Sequence, residues 1–359
     1  MSIIKAINLS RFPVVLVTLT VILNLAMSTS SLLAQGKKGS GNPTYTLTDL
    51  QGLPGYALQS DGRFITNRNS NRSLLIGGTS HQYVQGGPAQ LCSVVWEIAV
   101  DGTFPNTDPQ NLGIPGLSRE VVPTGINSFG IVVVDTNWAG EQDSDGNWLF
   151  PSYAHVPGVG YRELPGGLSR TTQVGSINDD GWIVGTLAIA DPEAPDGNRY
   201  VGGLWHVDLL GNITEPILLG DFGPVDINND GVMAGYSIDL RPAIAWFENG
   251  SLQMRVLDSS LRYWGANTYA LNDWPAYDSR LTVVGTSTAD ETGNFDAPSR
   301  GFAWRPFDAA SPTTVLNTLG GLESFARDVN RDGQIVGWSD TKEQRGQASL
   351  IGIVHMVCA

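Results

Sequence analysis

The chain has 359 residues, including 43 glycines, 20 prolines and 10 tryptophans, and only 16% of its residues are charged. Lysine and arginine number 21 against 35 aspartates and glutamates, a net charge of -14, which argues against nucleic acid or an anionic membrane as partner. Two cysteines exclude a disulfide-dense scaffold and a cysteine-rich zinc site. Many glycines, prolines and tryptophans with few charges indicate one β-rich domain of short strands and tight turns.

The first 34 residues have the order of a secretory signal peptide. Lys5 and Arg11 precede an apolar run from Phe12 to Met27, and small residues follow up to Ala34. The run is short for a membrane-spanning helix, so permanent anchoring is the alternative rather than the first interpretation. We predict a signal peptide over residues 1–34, a flexible leader over 35–43, and a protein that is secreted, periplasmic or on the cell surface.

One phrase recurs throughout residues 44–359: an apolar residue, Asn, two variable residues, Gly, and then a β-branched run. The Asn side chain bonds the backbone of a turn and Gly supplies a positive φ, which together favour a hairpin. Clear copies begin at Ile126, Ile177, Ile227 and Val329. Two copies with stretched turns begin at Leu58 and Leu271.

Two further elements recur between these phrases: a strand that ends in tryptophan, and a corner that reads Leu-Gly or Leu-Pro. Each unit therefore holds four short strands, and a repeat of about 50 residues with four strands is typical of a β-propeller. We predict an all-β fold, a six-bladed β-propeller, with the repeated tryptophans packed in its core. These tryptophans are Trp96, Trp205, Trp246 and Trp304.

The two ends of the repeat region complement each other. Residues 45–53 look like the fourth strand of a unit, and the last copy lacks that strand. We therefore predict that the N-terminal strand completes the last blade and closes the ring, which leaves no long exposed edge. An open solenoid is the alternative.

The repeated phrase resembles the HAF family of bacterial extracellular repeats. The best match runs from Thr318 to Ser339, where Leu-Gly-Gly-Leu precedes Val-Asn-x-x-Gly-x-Ile-Val-Gly-x-Ser, and the resemblance covers most of residues 45–357. The His-Ala-Phe triplet is absent, and the equivalent strands include Ala154-His155-Val156 and Phe302-Ala303-Trp304, so the chain is similar to a divergent member. The resemblance implies an exported repeat protein and carries no established reaction.

Two turns match the first half of a calcium-binding loop. They are Asp226-x-Asn228-x-Asp230-Gly231 and Asp328-x-Asn330-x-Asp332-Gly333, with oxygen ligands at alternate positions. The second half departs from the pattern, because the twelfth position is Ser237 or Ser339 rather than a bidentate glutamate. A hairpin turn is therefore the first interpretation, no cofactor is expected, and calcium at these six residues is the alternative.

Two other sets of residues are candidates for sites. Four tryptophans lie in irregular insertions and could present an exposed platform for a sugar ring. They are Trp138, Trp148, Trp264 and Trp274. Cys92 lies in the first unit and Cys358 at the end of the last, so a disulfide between them would clamp the seam of a closed ring.

We predict a secreted, monomeric, non-enzymatic module that binds a glycan, a cell-wall component or a protein, with no nucleic acid or membrane partner once the signal is removed. The main alternative is an exported glycan hydrolase or lyase that uses carboxylates at the mouth of the propeller channel, such as Asp179, Asp230 and Asp332. A purely structural surface module is the third interpretation. No motif of a nucleophilic, phosphate-binding or dinucleotide-binding site is present in the sequence.

Overall fold

The computed structural model describes residues 2–6, 20–22, 48–49, 52–53, 60–66, 74–83, 89–99, 109–115, 120–136, 150–166, 172–193, 198–257, 267–288, 298–310 and 313–341. All regular structure in these ranges is β-strand, as predicted. The chain divides into two compact units. Unit 1 comprises Met1–Glu163 and Leu209–Gly211, and unit 2 comprises Leu164–Asp208 and Asn212–Ala359.

The sheets of both units are those formed by the described residues; unit 1 contains a small N-terminal sheet and two sheets of four strands. Its strands are β1 (Ser2–Ala6), β2 (Thr20–Ile22), β3 (Thr48–Asp49), β4 (Ser60–Ile65), β5 (Leu74–Tyr83), β6 (Ala89–Ile98), β7 (Gln110–Gly113), β8 (Val121–Ile126), β9 (Val132–Thr136), β10 (Tyr153–Val156) and β11 (Gly160–Glu163). Sheet 1 contains β4 to β7 and sheet 2 contains β8 to β11, each in chain order and antiparallel.

Unit 2 contains three sheets of four strands and one sheet of two. Its strands are β12 (Thr172–Ile177), β13 (Trp182–Ala190), β14 (Asn198–His206), β15 (Ile217–Leu218), β16 (Phe222–Ile227), β17 (Met233–Ser237), β18 (Pro242–Glu248), β19 (Ser251–Val256), β20 (Asn267–Leu271), β21 (Val283–Thr288), β22 (Ser299–Trp304), β23 (Thr313–Val315), β24 (Gly320–Val329) and β25 (Ile335–Thr341). Sheets 3, 4 and 5 contain β12–β15, β16–β19 and β20–β23, and sheet 6 contains β24 and β25.

The five four-stranded sheets of the described residues are blades of the β-propeller type, since each is an antiparallel meander of four short strands in chain order. The first hairpin carries the predicted repeat in all six sheets. In each of them the register shifts by one residue just before the turn, which is a β-bulge. The repeat therefore has one backbone geometry despite its variable loops.

The first repeat begins later than the sequence predicts. Its bulge lies between Gly62 and Phe64, so Ile65 rather than Leu58 takes the position before the turn. Thr66 replaces the turn asparagine: its N–H donates to the Leu75 carbonyl, and its Oγ1 accepts from the Leu75 N–H at 3.0 Å. The prediction was wrong here because this copy has Thr66 at the position that asparagine takes in the other copies.

The N-terminal strand also differs from the prediction. Thr48 and Asp49 pair with Ala6 and Lys5 of β1, so the segment predicted to complete the last blade is paired elsewhere in the full chain. Its partner β1 lies inside the predicted signal peptide. Within the described residues, sheet 6 consists of β24 and β25 alone.

Within each unit, neighbouring sheets pack face to face and bury apolar strand residues between them. Sheets 4 and 5 enclose the largest such core, in which Ile244, Val283 and Phe302 are buried. Three of the repeated tryptophans are fully buried, Trp96, Trp205 and Trp304, which confirms their predicted core role. Trp246 is only half-buried and packs at the edge of the core between sheets 4 and 5. No helix in the described ranges is long and apolar enough to cross a membrane.

Candidate functional site

The repeated asparagine builds the turn of the first hairpin from inside. In sheet 4, the Oδ1 of Asn228 accepts hydrogen bonds from the N–H groups of Asp230, at 3.1 Å, and Val232, at 2.9 Å. The N–H of Gly231 donates to the Asn228 carbonyl at 3.1 Å, and Gly231 has a φ of 75°, which glycine adopts without strain. The predicted turn chemistry is confirmed.

The same asparagines also join neighbouring sheets of unit 2. The Nδ2 of Asn178 donates to the carbonyl of Asn228, which is the equivalent residue of the next sheet, at 3.0 Å. The Nδ2 of Asn228 in turn donates to the carbonyls of Asn272 and Trp274, both at 2.9 Å. These three asparagines are buried, so each bond replaces water that the amide would otherwise need. This second role is not readable from the local turn motif.

A second chain of bonds runs through the next residue of each turn. The Oδ1 of Asn229 accepts from the N–H of Asp179 at 2.8 Å, and the Asn229 N–H donates to the Oδ1 of Asp273 at 3.1 Å. The turns of sheets 3, 4 and 5 are therefore linked at one end of unit 2 by two parallel sets of hydrogen bonds. We call this end the turn face.

The candidate calcium residues Asp226 and Asn228 are engaged in backbone hydrogen bonds. Asp226 accepts from the N–H of Ile227 at 2.9 Å and, through its other oxygen, from the N–H of Leu271 in sheet 5 at 3.0 Å. Asp230 lies exposed at the turn. Among the described residues, no group of three or more histidine, cysteine, aspartate or glutamate side chains is arranged to hold a metal ion. Calcium binding stays a prediction.

The second candidate set lies in sheet 6. Asp328 accepts from the N–H of Val329 at 2.8 Å, and Asn330 accepts from the N–H of Gln334 at 2.8 Å. The Nδ2 of Asn330 turns back to the Oε1 of Gln334 at 2.8 Å instead of reaching another sheet. Asp332 lies exposed in the turn.

Two aspartates of the candidate calcium motifs, Asp226 and Asp328, have raised pKa values. Burial raises the pKa of Asp226 to about 7, and the charge of Asp328 adds to the rise, while hydrogen bonds from Leu271 and Ser176 oppose it. Burial also raises the pKa of Asp328 to about 6, and the charge of Asp273 adds to that rise. The two carboxyls occupy the same repeat position, on β16 and β24.

The carboxylates predicted for catalysis are only partly brought together. Burial raises the pKa of Asp273, and the charges of Asp179 and Asp230 add to this, so these three lie near one another on the turn face. Asp179 is tied to Asn229 by the reciprocal bond from the Asn229 Nδ2 at 3.3 Å. Asp273, which the sequence patterns did not single out, is half-buried, like Asp179, whereas Asp230 is exposed.

Of the four tryptophans predicted as a platform, Trp138, Trp148 and Trp264 lie outside the described residues. Trp274 is half-buried on the turn face and its Nε1 donates to the Arg331 carbonyl at 2.8 Å. The guanidinium carbons of Arg280 and Arg331 lie 3.4 and 4.6 Å from its ring centroid. Trp274 therefore already stacks with two cations of its own chain.

A different aromatic group is exposed between sheets 4 and 5. Trp246, Tyr277 and Phe307 pack together with ring centroids 5.1 to 5.5 Å apart. The Tyr277 hydroxyl donates to the Oε2 of Glu248 at 3.1 Å, and the guanidinium of Arg255 lies 5.3 Å from the Phe307 centroid. We call these five residues the aromatic surface.

Three different chain segments supply the aromatic surface. Trp246 lies near the end of β18, Tyr277 in the stretched turn between β20 and β21, and Phe307 just after β22. Tyr277 is 60% exposed and has a φ of 70°, which is strained for a residue with a side chain. The only signal in the sequence was the insertion after Asn272, which marks this turn as different from the others.

Cys92 is fully buried on β6, and burial raises the pKa of its thiol. Its predicted partner Cys358 lies outside the described residues. The disulfide therefore stays a prediction.

Comparison with known proteins gives little to add to this geometry. No known family matches the chain, and a search of curated proteins finds no relative. Among solved structures, the chain is similar to a protein of unknown function from Dyadobacter fermentans. The two share 12% sequence identity with a TM-score of 0.44, over 81% of this chain and 93% of the other.

Proposed function

We propose that the protein is an exported, monomeric, non-enzymatic binding module, a divergent relative of the HAF-type extracellular repeats, whose ligand is a glycan, a cell-wall component or a protein. The observation that supports this function best is the aromatic surface. Large aromatic side chains with a polar end are favoured where proteins contact ligands, because they combine apolar area with hydrogen bonding. The repeat builds a rigid support, and the inserted turn of sheet 5 carries the exposed ring.

The hydrogen bonds that the turn carboxylates already make within the fold also favour binding over catalysis. A general acid or base must reach a proton of the substrate. Asp226 and Asp179 instead hold backbone and side-chain groups of adjacent sheets. Their positions are explained by the support they give to the fold.

A screen of the purified, exported protein tests this function. Arrays of polysaccharides and of extracellular proteins are probed for retention, and the same polysaccharides are assayed for released reducing ends. Retention without turnover is the expected result. Binding to neither array would leave a purely structural role, and released ends would contradict the non-enzymatic proposal.

One observation favours the alternative, an exported glycan hydrolase or lyase. Burial raises the pKa of Asp226 to about 7 and that of Asp328 to about 6, and perturbed carboxyls are common at catalytic sites. If reducing ends are released, Asp328→Asn is the variant to assay first, because Asp226 is already held by backbone N–H groups of two sheets. Loss of activity in this variant would make Asp226 and Asp328 the candidate catalytic carboxylates in place of Asp179, Asp230 and Asp332.

We further propose that removal of the signal peptide allows a complete six-bladed ring to form. Cleavage after Ala34 would remove β1, the present partner of Thr48 and Asp49, and free this strand to complete sheet 6. A disulfide between Cys92 and Cys358 would then clamp the seam. Peptide mapping of the exported protein without reduction tests the bridge: a cross-linked peptide pair is expected, and two unlinked thiols would contradict it.

A further inference from the structure

We propose that the aromatic surface binds a neutral oligosaccharide, with the exposed ring of Tyr277 as the platform for one sugar ring. This inference rests on the proposed binding function and names the site and the ligand class.

The placement gives the three rings a common side. Ile244 pairs with Arg255 and Trp246 with Gln253 across β18 and β19, so Trp246 and Arg255 project from the same face of sheet 4. Glu248 is two residues beyond Trp246 on the same strand and shares that face. Tyr277 and Phe307 approach this face from sheet 5.

The packing fixes the Tyr277 ring in one position. Its plane meets the Trp246 ring at 82° and the Phe307 ring at 45°, and its hydroxyl is held by Glu248. Trp246 and Phe307 are half-buried and continue into the core of sheets 4 and 5, so they support the exposed ring from below. A preorganised ring loses little conformational entropy when a ligand stacks on it.

The strained backbone at Tyr277 is a second observation. A φ of 70° costs free energy for a residue with a Cβ, and glycine would relieve it. The turn nevertheless places a 60% exposed tyrosine there instead of a small residue. The turn geometry thus exposes the Tyr277 ring to solvent. A large exposed aromatic side chain is not favoured for solubility, so its exposure points to a role in binding.

The charges around the rings favour a neutral ligand. Glu248 and Arg255 carry opposite charges, and they contact Tyr277 and Phe307, respectively. Nearby, Asp278 and Arg280 form an ion pair at 2.7 Å. Acceptors and donors are therefore both present without a net field of one sign, which suits a ligand with many hydroxyls. The net charge of -14 further disfavours a polyanion.

A sugar ring satisfies these conditions together. A pyranose has an apolar face of C–H groups that can lie on an aromatic ring and a rim of hydroxyls that both donate and accept hydrogen bonds. Glu248 would accept from such a hydroxyl and Arg255 would donate to one. A folded protein ligand would need a larger apolar area than these rings offer.

The test uses titration calorimetry with four probes: cellohexaose, chitohexaose and xylohexaose as neutral ligands, and hexagalacturonate as an acidic one. The exported full protein is compared with Tyr277→Ala, Tyr277→Phe and the control Tyr200→Ala. Tyr200 is a 63% exposed tyrosine on β14 of sheet 3, away from the aromatic surface. Thermal melting of each variant checks that the fold is intact.

We expect at least one neutral probe to bind, with Tyr277→Ala weakening it about tenfold or more, since loss of a central aromatic contact typically has this effect. Tyr277→Phe keeps the ring and should weaken binding only about two- to fivefold, because one hydrogen bond is lost. Tyr200→Ala should bind like the wild type. This pattern would support the site.

Three results would overturn the inference. The first is neutral binding that survives Tyr277→Ala in a folded variant, which would place the ligand elsewhere. The second is binding of hexagalacturonate alone, and the third is no binding of any of the four probes. None of these results by itself contradicts the broader binding function, which the protein and polysaccharide arrays test. The sugar site and the binding function can therefore be rejected independently.

Discussion

Sheets 4 and 6 carry the same six-residue motif, Asp-x-Asn-x-Asp-Gly, and use it differently. In both, the asparagine accepts backbone hydrogen bonds within its own turn. In sheet 4, however, Asn228 also donates to two carbonyls of sheet 5, whereas the Nδ2 of Asn330 in sheet 6 donates to its own neighbour Gln334. The motif therefore specifies the turn, and the following sheet decides whether it also joins two blades.

The largest difference should appear when the asparagines are removed. Asn228→Ala removes the side-chain partner of two N–H groups and of the Trp274 carbonyl, and leaves the Asn272 carbonyl only its bond from the Trp274 N–H, all at a buried site. We expect a loss of about 3 kcal/mol in the free energy of unfolding. Asn330→Ala should lose only about 1 kcal/mol, because its side chain is half-buried and bonds within one turn. Urea denaturation followed by tryptophan fluorescence measures both. Equal losses would mean that the bonds between sheets contribute nothing.

A change inside each hairpin should affect the two sheets alike. Gly235 of sheet 4 and Gly337 of sheet 6 occupy the same position, and a Cβ on either would collide with the backbone carbonyl of Gly223 or Phe325 across the hairpin. We expect Gly235→Ala and Gly337→Ala each to destabilise by about 2 kcal/mol, since overpacking forces the strands apart.

Gly231→Ala and Gly333→Ala are the controls for this pair. Both glycines have open space around a Cβ but a positive φ, so each change should cost about 1 kcal/mol through the backbone alone. If Gly235→Ala lowered the free energy of unfolding much more than Gly337→Ala, the two hairpins would not be equivalent in packing.

The pH dependence of the free energy of unfolding should report on Asp226, which links sheets 4 and 5 through its hydrogen bond from Leu271. Its pKa of about 7 lies above the usual 3.8 of an unfolded chain, so the folded state binds the proton more tightly. The contribution of Asp226 to stability is thus fully present below about pH 4 and is lost as the pH rises to about 7, by on the order of 4 kcal/mol. Asp328, with a pKa of about 6, should lose its share over a slightly lower range.

Asp226→Asn tests this assignment because the amide stays neutral. Thermal melting between pH 4 and 8 should become flatter in this variant, while Asp221→Asn, an exposed residue just before β16, should keep the wild-type profile. An unchanged profile in Asp226→Asn would show that another group carries the pH dependence.

The smallest effect is expected from calcium. The Oδ1 atoms of Asn228 and Asn330 already accept backbone N–H groups in both motifs, so we expect calcium added to chelator-treated protein to shift the melting temperature by less than about 1 °C. A clear stabilisation that Asp230→Asn or Asp332→Asn abolishes would instead assign the motif to calcium.

The sequence predicted the parts of the fold that depend on local chemistry. Asparagine and glycine at fixed positions identify the turns, as at Asn228 and Gly231, and tryptophan ends buried strands, as at Trp205 and Trp304. The first repeat was misplaced because Thr66 performs the turn role of asparagine with a hydroxyl. Different side chains can satisfy the same backbone groups, and a search for one residue type misses such cases.

The site was less predictable because it depends on packing between sheets. Trp246 belongs to the repeated strand position and reads as a core residue, yet it lies at the rim, where Tyr277 and Phe307 meet it. Trp274 reads as a platform, but Arg280 and Arg331 stack on it. Neither arrangement follows from spacing along the chain, since each joins residues of different turns or sheets.

The β-bulge that recurs in every first hairpin has a consequence for engineering the chain. The bulge adds one residue at an equivalent place in each of the six sheets, such as Val225 in sheet 4 and Arg327 in sheet 6. This extra residue sets which side chains beyond the bulge point inward. Deleting that single residue would exchange the inward and outward faces of the strand end. Chimeras that exchange whole hairpins together with their bulges should keep the inward and outward alternation of the side chains. The bulge can therefore be used to align blades for recombination and to transplant the turn of sheet 5 that carries Tyr277.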